Sequence, residues 1–249
     1  MEPNIELKEN ERIDDLEYKD LKIIQNKEGF CFGIDSILLS DFAKQIKKGA
    51  KVLDLGTGTG IIATLLCGKT ELSEIIGIEV QEEVYEMAKR SIRLNHLENK
   101  FKMIQDNITN LNQHFEKNTF DAIVTNPPYK KKETGIQNED TRKLISRHEI
   151  EANLEDFIKI SKDMLKDKGE FYIVYRPERL VDLISLMRKY KIEPKRIRFV
   201  YSHIHAISKL VLVQGIKNAN PFLKLEENLY IYDENNHYTD EILEIYHKK

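Results

Sequence analysis

A chain of 249 residues can build one α/β domain with a full core, or two small ones. Its 41% hydrophobic and 33% charged residues exclude a fibrous or disordered polymer, and no apolar run nears the roughly 18 residues of a membrane span. The formal net charge of -3 argues against a surface dedicated to coating nucleic acid, although YKKKETG (129–135) and KYKIEPKRIRF (189–199) are locally basic.

The opening MEPNIELKENERIDDLEYKD is acidic and has no apolar core, so it is not a signal peptide. LKIIQNKEGFCFGIDSILLSDFAKQI (21–46) predicts a short hairpin and then a helix from about Asp35. Strand and helix then alternate. KVLDLG (51–56) is a strand, followed by a glycine turn and a helix at IIATLLCGKT; EIIGIEV (74–80) is a second strand, followed by a helix at EEVYEMAKRSIRLNHL. FKMIQD (101–106) and FDAIVT (120–125) are the third and fourth strands. LEDFIKISKDMLK (154–166) predicts a helix with Gly169 as its C-cap, then come a strand at GEFYIVYR, a helix at VDLISLMRKY, and two strands at RIRFVYS and KLVLVQGIK. Helical crossovers imply a mostly parallel sheet with helices on both faces, and the short SHIHAIS connection implies an antiparallel C-terminal hairpin. The expected fold is a Rossmann-like, seven-stranded α/β domain over residues 1–249, with residues 1–45 as an extension covering the site. Cys31 and Cys67 lack CxxC spacing and read as small buried hydrophobes of a reducing, cytoplasmic compartment.

VLDLGTGTGII places Asp54, Gly56, Gly58 and Gly60 between a strand and a helix. Glycines there allow a tight turn and close backbone approach to a ligand. The spacing is one residue tighter than the G-x-G-x-x-G of dinucleotide enzymes. Asp54 would repel a pyrophosphate but suits an ammonium group, such as that of a methionine moiety. Glu79 ends the second strand where such sheets bind ligands, and its carboxylate can accept from both hydroxyls of a ribose. Asp106 closes the third strand and can accept from an adenine amino group, with Asn107 and Ile108 beside the base. The fourth strand runs into Asn126-Pro127-Pro128-Tyr129.

Together these residues resemble the class I S-adenosylmethionine-dependent methyltransferases, with Asp54 to Gly60 as the cofactor loop, Glu79 as the ribose acid, Asp106 as the adenine contact and Asn126 to Tyr129 as the amino-methyltransferase motif. The product would be S-adenosylhomocysteine, and no metal is implied. The exocyclic amine of adenine is a poor nucleophile because its lone pair is delocalised into the ring. Asn126 can accept one N–H through its side-chain oxygen while facing the cofactor's methyl, and the Pro127 carbonyl can accept the other; such orientation can supply roughly 7–11 kcal/mol. Tyr129 can stack on an extruded base, with Pro128 beside it. His148 is expected as a contact or packing residue rather than a base.

The match extends to the bacterial tRNA1(Val) adenine-37 N6-methyltransferases through FCFGIDSILLSDFA (30–43), TNPPYKK (125–131), SRHE (146–149), FYIVYRPERL (171–180) and EPKRIRFVYS (193–202). That resemblance, not spacing, implies tRNA and its anticodon loop as partner; no membrane and no obligate protein partner are expected. Lys130, Lys131, Lys132, Arg142 and Arg147 could meet its phosphates, while Phe32, Asp35 and Ser36 could fold over the methionine end or the target base. Methylation of another exocyclic amine (an rRNA base or a protein glutamine) and a non-catalytic binding module remain as alternatives. The last thirty residues look loosely organised.

Overall fold

The protein was analysed as a computed structural model, which describes residues 5–27, 33–128 and 152–248. Seven strands form the body of one sheet: β3 (Lys51–Leu55), β4 (Glu74–Glu79), β5 (Phe101–Gln105), β6 (Phe120–Thr125), β7 (Leu165–Tyr175), β8 (Ile192–Tyr201) and β9 (Leu210–Lys217). They lie in the order β8-β9-β7-β6-β3-β4-β5. The strands from β3 to β7 are parallel, and β9 runs antiparallel to both of its neighbours, β7 and β8. The expected Rossmann-like sheet and its antiparallel C-terminal hairpin are therefore present. Two-residue strands β10 (Lys224–Leu225) and β11 (Leu229–Tyr230) both add to the outer edge of β8, bringing the sheet to nine.

Parallel strands covered on both faces need apolar residues on both sides, and β3 obliges with buried Val52, Leu53 and Leu55. On one face α1 (Ile34–Phe42) and α2 (Ile61–Lys69) pack with Val52, Ala122 and Tyr172. On the other, α4 (Leu154–Met164) and α5 (Leu180–Lys189) cover Leu53, Ile123 and Phe171. Among the described residues no helix is long and apolar enough to cross a membrane.

Three expectations need correction. The N-terminal hairpin lies earlier than apolar runs suggest, because its first strand is β1 (Glu11–Asp15), paired antiparallel with β2 (Lys22–Asn26). Leu16, Tyr18, Leu21 and Ile23 join the core, and polar anchors on α3 (Glu82–Leu94) hold both strands. The Arg90 guanidinium grips both Glu11 oxygens at 2.6 Å, holding that carboxyl below its usual range, and the Ser91 hydroxyl accepts from the Ile24 amide at 2.9 Å. Gly169 is not a helix cap. The helix α4 ends at Met164 and β7 starts at once, with the stretch between Leu165 and Glu170 bulging out of register against Phe120–Ala122. The C-terminal residues are also better ordered than their composition implies: α6 (Asp240–Ile245) buries Ile242 and Ile245 against the first face.

Candidate active site

Register places the chemistry at one edge. Leu55 is paired with both Ile78 and Thr125, and Glu79 with Gln105. Gly56, Glu79, Asp106 and Asn126 therefore leave their strands side by side at the carboxyl edge, where open α/β sheets bind ligands. The Thr125 hydroxyl donates to the Leu55 carbonyl at 2.8 Å, tying the end of β6 to the end of β3.

The turn after β3 has left-handed backbone at Gly56, Gly58 and Gly60, with φ of 67°, 59° and 92°. Gly60 is also the N-cap of α2, and a β-carbon there would meet the Phe101 ring at 3.1 Å. Only glycine satisfies both demands. Asp54 is fully buried, its Oδ2 accepting from the Thr57 hydroxyl. Its Oδ1 is buried without a hydrogen-bond partner among the described residues. Burial pushes the Asp54 carboxyl up to about 7, partly offset by the Thr57 hydroxyl; the Glu79 charge raises it and the Ala63 amide lowers it. An orphaned, desolvated carboxylate oxygen fits a cationic ligand group.

Glu79, also buried, holds the turn in place. Its Oε2 accepts the Gly58 amide at 3.0 Å and its Oε1 the Gln81 amide at 2.9 Å. A carboxylate at this edge suits the vicinal hydroxyls of a ribose, because both of its oxygens are acceptors.

Asp106 is more heavily used than its place at a strand end suggests. Oδ1 accepts the Asn107 amide and the Asn110 side chain, both at 2.7 Å, and Oδ2 pairs with His114 Nε2 at 2.6 Å. His114 and then Asn110 hold its carboxyl below the usual range. By lone-pair count Oδ2 retains one acceptor site, enough for one N–H. Asn107 caps the 3-10 turn at Ile108–Gln113, its side chain accepting from the amide and hydroxyl of Thr109. That oxygen is committed to the turn rather than to a base. Ile108 is buried.

Asn126 is half-buried, Pro127 buried and Pro128 exposed at the end of β6. Tyr129, Lys130, Lys131, Lys132, Arg142, Arg147, His148, Phe32 and Cys31 lie outside the described residues. Asp35 and Ser36 open α1. Cys67 is buried and burial pushes its thiol up to about 12, which makes it inert.

Two contributors were not singled out by the sequence. Thr57 orients Asp54, and Gly77 in β4 makes room for it: a β-carbon at Gly77 would lie 2.8 Å from Thr57 Cγ2, 2.9 Å from its Oγ1 and 2.7 Å from Met103 Sδ. Gly77→Ala is expected to cost about 1–3 kcal/mol of stability, read by denaturant unfolding. An unchanged midpoint would mean that Thr57 moves aside freely.

Comparison with known proteins agrees with this geometry. Residues 33–190 match the family model described as the methyltransferase small domain. A tRNA1(Val) (adenine(37)-N6)-methyltransferase of Histophilus somni (strain 129Pt) is 30% identical over 226 residues, covering 90% of this chain and 92% of the relative. The protein of the same name from Mannheimia succiniciproducens is 26% identical over 91% and 90%. Among solved structures, a predicted O-methyltransferase from Agrobacterium tumefaciens superposes with a TM-score of 0.69 at 16% identity, covering 86% of this chain and 95% of its own. TYW2 of P. horikoshii, solved in complex with MeSAdo, gives 0.58 at 13% identity over 85% and 73%. At such identities the structural matches speak for the fold alone.

Proposed function

The chain belongs to the methyltransferase small domain family, and from that premise we propose that it methylates N6 of an adenine in tRNA with S-adenosylmethionine as donor, acting at position 37 of tRNA1(Val) in the cytoplasm. The observation that carries the cofactor part is the orphaned Oδ1 of Asp54 beside the glycine turn. Asp54 would attract the ammonium of the methionine end, Glu79 would accept from the two ribose hydroxyls, and the last site on Asp106 Oδ2 would take one adenine N–H. S-adenosylmethionine supplies an electrophilic methyl on a sulfonium sulfur that leaves as a neutral thioether.

On the acceptor side, Asn126 and Pro127 stand at the end of β6, next to the turn after β3. The Asn126 side-chain oxygen and the Pro127 carbonyl would each accept one N–H of the target amine. Held that way, the nitrogen is drawn toward pyramidal geometry and its lone pair points at the methyl; the proton then passes to water. No strong base is required, because orientation is the main contribution. Tyr129 would stack on the base, and Lys130, Lys131, Arg142 and Arg147 would meet phosphates. The names and near-complete coverage of the curated relatives favour tRNA over other acceptors.

The test is transfer of labelled methyl to tRNA lacking the modification, followed by nucleoside analysis. N6-methyladenosine at a single site is expected. Label recovered in protein or ribosomal RNA, with none in tRNA, would sink the assignment.

A further inference from the structure

The proposed chemistry stops at β6, yet the same sheet edge continues through β7 and β9 to β8, where an aromatic construction has been given no role. Because β9 is antiparallel to both neighbours, β8 points the same way as β7. Its carboxyl end at Tyr201 therefore lies on the side of the sheet where Asn126 stands, three strand spacings or about 14 Å across and three residues or about 10 Å further along the strand direction. Two loops meet there, one between β8 and β9 and one between β11 and α6. His203 stacks on Tyr232 at 5.3 Å and 28°, Tyr232 on Tyr238 at 5.3 Å and 11°, and Tyr238 on Tyr246 at 5.8 Å and 17°. His203 Nε2 is also 2.9 Å from Asn236 Oδ1, pinning one loop to the other.

The β8–β9 loop is anchored firmly at its base. The Ser208 hydroxyl lies 3.0 Å from the carbonyls of both Val200 and Leu210, and Arg176, at the end of β7, donates to the Lys209 carbonyl at 3.2 Å. Its tips are nonetheless left in solvent: Ile204 is 58% and Ile207 84% exposed. The run SHIHAISK (202–209) carries no carboxylate. The opposing loop carries two exposed acids: Asp233, whose carboxylate accepts from the amides of Asn235 and His237 and lies near His203, and Glu234.

We infer that the end of this aromatic column, with His203, Ile204, Ile207 and Lys209, is a docking rim for single-stranded RNA, on which a nucleobase neighbouring the target adenine stacks. The inference rests on the tRNA reading above. Single-stranded nucleic acid is held by ring faces and apolar tips for its bases and by cations for its phosphates, and the β8–β9 side of this rim offers all of these. Its anchored backbone means little ordering cost on binding. A base parked there would leave the next part of the loop free to reach the end of β6.

The double variant Ile204→Ser/Ile207→Ser removes only solvent-exposed apolar groups, so folding should survive it. With unmodified tRNA1(Val) transcript as substrate, its KM is expected to rise about tenfold, the effect of losing roughly one base contact. Both kcat at saturating RNA and the dissociation constant for S-adenosylhomocysteine should stay at wild-type values. His203→Ala should act likewise, and His203→Phe, which keeps a ring, should recover most of the loss. Unchanged KM in the double variant and in His203→Ala would overturn the inference. So would a shift in sedimentation between wild type and double variant without any change in KM, which would make the rim a contact between copies of the chain. A wild-type protein that methylates no tRNA would overturn the functional reading itself, and this inference with it.

Discussion

Asn126→Ala is expected to lower kcat for methyl transfer by about 10²–10³-fold, the usual effect of deleting one fixed polar partner of a reacting group. Binding of S-adenosylhomocysteine should change far less. The argument is geometric. Asn126 stands just past β6, whose end is fixed by the hydrogen bond from Thr125 to Leu55, so truncating its side chain leaves the sheet intact. The amine would then retain only the Pro127 carbonyl as acceptor and could rotate out of line with the donor methyl. Asn126→Asp keeps an acceptor oxygen at the same place and should retain more activity than the alanine variant. The check is single-turnover transfer alongside calorimetric titration with S-adenosylhomocysteine. Equal losses in both measurements would show that Asn126 serves the cofactor rather than the acceptor.

The second large effect is a pH dependence centred on Asp54. Its carboxyl is pushed by burial from 3.8 to about 7, so the folded protein without ligand favours the protonated form. Stability from this group is complete below about pH 4 and is lost as pH rises through 7, by about 4 kcal/mol for a shift of roughly three units. Asp54→Asn, a neutral near-isostere, should therefore be more stable than the wild type at pH 8 and close to it at pH 4, read by thermal unfolding without ligand. Cofactor binding should run the other way, because an ammonium needs the carboxylate. Between pH 8 and pH 6 the ionised fraction falls about tenfold, and affinity for S-adenosylhomocysteine should fall with it. Asp54→Asn should bind weakly at every pH. A flat affinity profile in the wild type would mean that Asp54 does not face the ammonium.

The strands were legible because parallel strands buried on both faces leave short apolar runs such as IIGI (75–78) and AIV (122–124), separated by amphipathic helices. The acids at or near the ends of those strands were legible for a related reason, since a carboxylate in or after a largely apolar strand has little to do inside the sheet. What escaped was structure held by polar contacts distant in sequence. The strand at Glu11–Asp15 owes its place to Arg90, 79 positions away, and no local pattern announces that. Gly77 lies inside an ordinary strand, and its role appears only when β4 is set beside Thr57 and Met103. Asp106 was found by position, but its partner His114 sits on a 3-10 turn that no periodicity reveals.

The antiparallel insertion of β9 has a consequence for how the chain is made. From the amino terminus, β3 to β6 can assemble as soon as they emerge, completing the half of the sheet that carries Asp54, Glu79 and Asp106. β8 cannot follow in turn, because its place in the sheet depends on β9, which is synthesised after it. A nascent chain that has reached residue 209 thus holds a finished half-sheet with the free edge of β7 exposed, lined by Phe171, Tyr172, Ile173 and Val174. An open apolar edge of that kind invites pairing with another chain. β9 closes it, so truncations that remove Leu210–Lys217 should yield aggregating protein rather than a soluble cofactor-binding fragment.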